Sequence, residues 1–316
     1  MDELNQIIEK YLQDVEEYDF EDFIAIKKMS EIILSNRMPF FKDKVKTRYG
    51  LNKSINLAYS FLDVLGYGDY FNEKMKDGTF KFKQVSMRSK EIPMSYYNEE
   101  LGKSEIYLPY SNFIIDAYVI VHELLHDTNL DFNNMSITRD IFTEYISMFG
   151  EFIFELYIKE NFKINDFKTD INYSFNSCYK SALKVDFQLN LIKSYLENGQ
   201  INNYFLNTII EKYDPVFQGT LLKYCYSILE QKELDFDFYM RYLTGILLSC
   251  HSYELFLNNK FDLELFVFIN DYINYLEPED VYSYLNLKVV DGNNLLLSND
   301  SYEKLNKSYK KIMNGR

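Results

Sequence analysis

Apolar residues recur every three to four positions over most of this chain, and that period predicts helices. Ile7, Ile8, Tyr11, Leu12, Val15 and Tyr18 set the pattern at the start. Residues 1 to about 75 read as helical, punctuated by Gly50 and by Gly66-Tyr67-Gly68. The period then changes. Phe80-Lys-Phe-Lys-Gln alternates apolar and polar residues as a strand does, and Glu105-Ile-Tyr-Leu-Pro-Tyr follows after a turn-like Asn98-Glu-Glu-Leu-Gly-Lys-Ser. Residues 79–110 therefore predict a small antiparallel sheet of two or three strands. Helical spacing resumes near Phe113, with helices expected at 113–127, 138–160, 166–198, 203–212, 217–231, 236–256, 261–275 and 299–312. Asn129 to Asn134 read as a polar loop, and Asp214-Pro215 as a break. With no internal repeat or Gly/Ser linker, the expectation is one mainly α domain over 1–316. Its helical N-terminal part covers 1–78, and its sheet and helical core cover 79–316.

Composition narrows the functional classes. The formal net charge of −14 disfavours nucleic acid as a partner, because phosphate binding needs clustered Lys and Arg. No run of about 18 apolar residues occurs, so no membrane span is expected. The acidic start, Met1-Asp-Glu-Leu-Asn, lacks a signal-peptide pattern. Cys178, Cys225 and Cys250 are far apart and form no Cys-x-x-Cys, which fits reduced core thiols and a cytoplasmic location. The 29 Tyr and 26 Phe among 316 residues, with no Trp, fit the coding bias of an AT-rich gene.

The chemistry sits in Val121-His122-Glu123-Leu124-Leu125-His126, an His-Glu-x-x-His motif. Residues four apart lie one turn apart on one helix face, so both imidazoles reach one cation. Glu123 is then beside the metal without being a ligand, positioned to take a proton from water. Chance supplies such a motif in roughly 0.2% of chains of this composition. The preceding Phe113-Ile-Ile-Asp-Ala-Tyr-Val-Ile-Val is apolar almost all round, so the helix is buried, and two buried histidines with a carboxylate need a partner. One zinc ion is the expected partner. Glu144, on the next helix, is the best candidate for third ligand, and Ser147 or Glu151 on its face can orient a histidine ring. The third histidine, His251, reads as a packed or surface residue.

Three segments, in order, resemble the thimet oligopeptidase / oligoendopeptidase F family of metallopeptidases. They are Ser104-Glu-Ile-Tyr-Leu-Pro-Tyr running into the His-Glu-x-x-His helix, Ile141-Phe-Thr-Glu-Tyr-Ile-Ser-Met-Phe-Gly-Glu, and Phe238-Tyr-Met-Arg-Tyr-Leu-Thr-Gly. The resemblance covers roughly residues 80–260. It implies a helical, gluzincin-type fold with a substrate channel, cleavage of short peptides, His122, His126 and Glu144 as ligands, Glu123 as base, and Tyr239 and Tyr242 as hydroxyl donors to the reacting carbonyl. Those two tyrosines are three apart on a helix, so both can face one site. The chain departs from the family in being about half its usual length, in Leu125 where glycine is usual, in Met240 where tyrosine is usual, and in lacking a histidine upstream of Tyr239. The Glu105–Tyr110 strand is expected to pair with an extended substrate by strand addition. The functional expectation is a zinc metallopeptidase acting on short peptides. The competing expectation is a peptide-binding or scaffold protein with a structural or vestigial zinc site, and the intact Glu123 counts against it.

Overall fold

Helix formation follows the apolar period, and caps decide where each helix begins. The computed structural model describes residues 1–14, 20–36, 48–86, 89, 91–128, 130, 136–162, 168–290 and 296–314. Most of the expected 129–134 loop lies outside them. The N-terminal part supplies α1 (Asp2–Asp14), α2 (Phe20–Ser35), α3 (Leu51–Val64) and α4 (Gly68–Asp77). The strands are β1 (Phe80–Gln84), β2 (Met94–Asn98) and β3 (Lys103–Tyr110). The helices that follow are α5 (Ile115–Asp127), α6 (Ile137–Asn161), α7 (Lys168–Asn198), α8 (Asn203–Ile210), α9 (Pro215–Gln231), α10 (Phe236–Leu257), α11 (Leu263–Tyr272), α12 (Pro278–Tyr284) and α13 (Asn299–Asn314).

The period located the long helices, and the caps moved their ends. The break expected at Asp214-Pro215 separates α8 from α9, and Pro215 opens α9 because Asp214 accepts the Val216 amide at 3.0 Å and proline fits the first helical turn. Asp262 caps α11 through the Leu265 amide at 2.8 Å, so that helix starts two residues late. Ser136 caps α6 through the Arg139 amide at 3.1 Å. The short α12 was not expected, since seven residues hold too few periods to register. It is fixed by Pro278 and by a capping box of Glu277 and Asp280.

The sheet differs from expectation. Its order is β1-β3-β2, with β2 antiparallel to β3 but β1 parallel to it. A mixed sheet results because nine residues separate β1 from β2, too many for a tight turn, so β1 crosses to the far edge of β3. β3 is thus the central strand, and both of its edges are already hydrogen-bonded. It has no edge left for a substrate strand. The outer edges belong to β1 and β2, and β2 packs on α5.

The core is built around three helices. α6 lies along α10 in the most extensive contact of the described residues, and α5 lies along α6. Phe142, Tyr145, Phe149 and Phe152 of α6 are fully buried, and Phe149 meets Phe266 edge-to-face at 5.0 Å between centroids. Two glycines set how near the helices come. A Cβ on Gly150 would stand 2.2 Å from Leu125 Cδ1, and one on Gly245 would stand 2.8 Å from Glu144 Cβ and 3.0 Å from its backbone carbon. Leu125, bulky where the resembling family has glycine, therefore fits against the missing side chain of Gly150. α2 packs on α7 and α10, and α3 on α5, which joins the N-terminal helices to this core.

Candidate metal centre

His122 and His126 project from one face of α5, one turn apart. Their Nε2 atoms face each other at 3.0 Å. Glu144 comes from α6, where Gly245 lets α10 press that stretch of helix toward α5. Its Oε2 lies 3.7 Å from His122 Nε2 and its Oε1 lies 3.7 Å from His126 Nε2. The three donor atoms all lie within 4.8 Å of one another.

The outer nitrogens of both rings are engaged. His122 Nδ1 meets Glu151 Oε1 at 2.8 Å, and the other oxygen of Glu151 accepts from Ser174 Oγ of α7 at 2.8 Å. His126 Nδ1 meets Thr143 Oγ1 at 3.0 Å. Both Nδ1 atoms then serve as donors, and the Nε2 lone pairs turn inward. Two lone pairs at 3.0 Å repel unless a positive charge lies between them. A proton or a metal ion can supply that charge. Burial alone lowers the His122 pKa, but the bonded Glu151 and the charges of Glu144 and Glu123 raise it to about 10. Burial and the neighbouring imidazolium hold His126 well below its ordinary value, so it accepts rather than donates.

A metal ion suits this donor set. Glu144 Oε2 is buried and has no hydrogen-bond partner, so an oxygen that ought to be satisfied awaits a ligand. Burial, first of all, raises the Glu144 pKa. A divalent cation would displace the shared proton, satisfy the orphaned oxygen and neutralise the carboxylates together.

Around this group stand a further carboxyl and a hydroxyl. Glu123 is 5% exposed, and burial is the main cause of a pKa raised to about 7. Ser95 of β2 donates to the Glu123 main-chain carbonyl at 2.8 Å and lies 3.3 Å from its carboxylate, tying the sheet edge to the base. Tyr242 of α10 faces Glu144, and its hydroxyl helps hold that carboxyl down. Burial and then the charge of Glu144 push the phenol upward, so it stays protonated.

The described residues match no family model, and no curated protein sequence matches the chain. Three solved structures share its fold. One is a protein assigned as an oligoendopeptidase F from Bacillus anthracis str. Ames, with a TM-score of 0.51, 15% identity, and coverage of 98% of this chain and 56% of that one. Another is a protein assigned as a peptidase from Chlamydophila abortus, with a TM-score of 0.54, 15% identity, and coverage of 98% and 54%. The third is PZ peptidase A with an inhibitor, with a TM-score of 0.53, 13% identity, and coverage of 98% and 58%. The fold is oligoendopeptidase-like. The chain spans little more than half the length of these neighbours.

Not every expected residue sits where its spacing suggested. Ser147 turns back on its own helix and donates to the Thr143 carbonyl at 3.4 Å, leaving Thr143 itself to meet His126. Tyr239 and Tyr242 do not share a site. The Tyr239 hydroxyl accepts from Lys184 Nζ of α7 at 3.0 Å, with that ammonium 4.7 Å from its ring centroid. A three-residue step is about 300° of helix, and here the remaining 60° parts the two side chains. Thr143, Ser174 and Ser95 were not foreseen. Thr143 carried a weak signal, a hydroxyl inside a largely apolar helix, whereas Ser174 and Ser95 come from distant segments and carried none. His251 is packed, between Ser308 Oγ and the Leu285 carbonyl, each at 3.0 Å. All three cysteines are buried and none is in a disulfide.

Proposed function

We propose that this chain is a zinc-dependent peptidase that hydrolyses short peptides. The reading is carried by one observation: two inward-facing imidazole nitrogens and a buried, unsatisfied carboxylate oxygen converge, with a second carboxyl of near-neutral pKa beside them. His122, His126 and Glu144 would hold the ion. Zinc is the divalent ion that a two-histidine, one-carboxylate set most often takes, and when bound it polarises the scissile carbonyl and makes an attacking water more acidic. Glu123 takes the proton of that water and delivers it to the departing amine nitrogen, a task for which a pKa near the working pH is best. Tyr242 donates its hydrogen bond to the oxygen that gains charge as the carbon becomes tetrahedral. The free edge of β2 offers main-chain hydrogen bonds to an extended peptide, and Ser95 keeps that edge in register with Glu123.

The substitution Glu123→Gln tests the assignment. The variant should bind zinc and fold as the parent does, and lose at least about 100-fold in turnover of a mixed peptide library, the usual worth of a general base. Undiminished cleavage would exclude Glu123 as the base. A metal-loaded parent that leaves every peptide whole would mark the centre as structural.

A further inference from the structure

We propose that Lys74 is a positioning residue of the metal centre: through its buried ion pair with Asp127 it fixes the last turn of α5, which carries Glu123 and His126. The proposal rests on the metal-site half of the peptidase reading and adds to it the device that holds the ligand helix in place.

Lys74 is buried in α4, and its ammonium has three acceptors for its three hydrogens. Nζ donates to Asp127 Oδ2 at 2.7 Å, to the Ser104 carbonyl of β3 at 2.7 Å and to Ser104 Oγ. The Tyr70 hydroxyl of α4 donates to the same Asp127 Oδ2 at 2.6 Å. Asp127 Oδ1 is buried with no hydrogen-bond partner, so the carboxylate is held through Oδ2. The side chains of Lys74 and Asp127 are 8% and 0% exposed. Taking two charges out of water costs about as much as their attraction returns, so a pair this buried contributes little stability over an apolar pair of similar size. What it supplies is one geometry, in which α4, β3 and α5 meet at a single nitrogen.

The turn so fixed is the one that bears the site. Asp127 directly follows His126, and in a regular α-helix its amide donates to the Glu123 carbonyl four residues back. That carbonyl also accepts from Ser95 Oγ of β2 at 2.8 Å. Residues 123–127 are therefore gripped at both ends, by Ser95 at the first and by Lys74 at the last. The two grips are themselves joined, because β2 pairs with β3 and sets Tyr97 opposite Ser104. Sheet and α4 together form a bracket for this turn. Glu144 and Thr143, by contrast, stand on α6, where Thr143 meets His126 Nδ1 at 3.0 Å. The 3.7 Å from His126 Nε2 to Glu144 Oε1 thus depends on where the bracket sets α5, since any roll of the turn moves the imidazole against a carboxylate on another helix.

The experiment separates position from stability. Lys74→Met/Asp127→Leu removes both charges and should melt close to the parent temperature. It should nonetheless bind zinc about tenfold more weakly in a chelator competition, the low end of what losing a partner beyond the ligands costs. The visible absorption of the cobalt-loaded protein, which reads ligand geometry, should shift as well. Against peptides kcat should fall while KM changes by less than about twofold. Lys103→Met is the control, since it breaks the exposed Lys103–Asp77 pair, 3.0 Å long, between β3 and α4 without touching α5. It should keep the parental zinc affinity and spectrum, and an equal loss there would mark general loosening and overturn the assignment. A stable double variant with unchanged zinc affinity and cobalt spectrum would also overturn it. Should the double variant fail to fold, Tyr70→Phe decides, because it takes one donor from Asp127 and keeps the ring. A shifted spectrum then supports the bracket, and parental affinity and spectrum reject it. None of these metal readings needs cleavage, so a parent that takes up zinc and leaves every peptide whole rejects the peptidase while the affinities still judge Lys74.

Discussion

At the residue scale, the facing Nε2 atoms of His122 and His126, 3.0 Å apart, call for a positive charge between them. The bonded Glu151 and the charges of Glu144 and Glu123 raise the His122 pKa against the effect of burial, so a zinc ion binding at neutral pH would have to displace a proton. Affinity should therefore rise with pH, by about tenfold per unit across pH 6–8 if one proton is lost. Calorimetry in buffers of differing ionisation enthalpy would count that proton, and a count of zero would contradict the shared-proton arrangement. The tyrosines give a second contrast. Tyr242→Phe should lower kcat by about 10²–10³, the cost of an oxyanion donor, with zinc content intact. Tyr239→Phe should leave kcat within about threefold and lower stability by about 1 kcal/mol, because its hydroxyl serves Lys184.

At the scale of elements, the centre is assembled by helix proximity. Gly245 touches the backbone of Glu144, which cannot swing aside as a side chain tip can. Gly245→Ala should push α10 from α6, cost about 1–3 kcal/mol and weaken zinc binding, measured by urea unfolding and metal titration. Retained affinity would show that Glu144 is not held in place by this contact. The sheet carries its own pH dependence. Lys81, then Tyr96 and Asn98, hold the Glu105 carboxyl down to about 2, whereas the unfolded chain protonates near 4.5. The unfolded state thus takes up the proton first, so stability should be full above about pH 4.5 and fall as the pH drops toward 2. Glu105→Gln should be less stable at neutral pH and show a flatter acid limb in the same unfolding assay.

For the whole molecule, metal binding on the proposed reading would be coupled to folding, because the three donors come from α5 and α6, which meet only in the native state. Zinc at about 100 times its dissociation constant should stabilise the fold by about 2.7 kcal/mol, and a chelator should remove the gain. His122→Ala should abolish the response in a thermal melt, and a persisting shift would place the ion elsewhere. No helix among the described residues is long and apolar enough to cross a membrane. Oligoendopeptidase-like architecture here occupies little more than half the length of its structural neighbours.

What the sequence determined alone was everything that depends on local period and spacing. The long helices followed from apolar recurrence, and the His122–His126 pair followed from a four-residue step, because both are properties of one helix. Glu144 and Glu151 were within reach of the same reasoning, since a second buried helix must lay its polar residues against the first. Only the tertiary structure decided the rest. It placed β3 between β1 and β2, which left the outer edges of the sheet to those two strands. It parted Tyr239 from Tyr242 and brought Ser95, Ser174 and Thr143 to the centre. Each of these depends on which segments come together across many residues, and the spacing along a chain does not record the distances that packing creates.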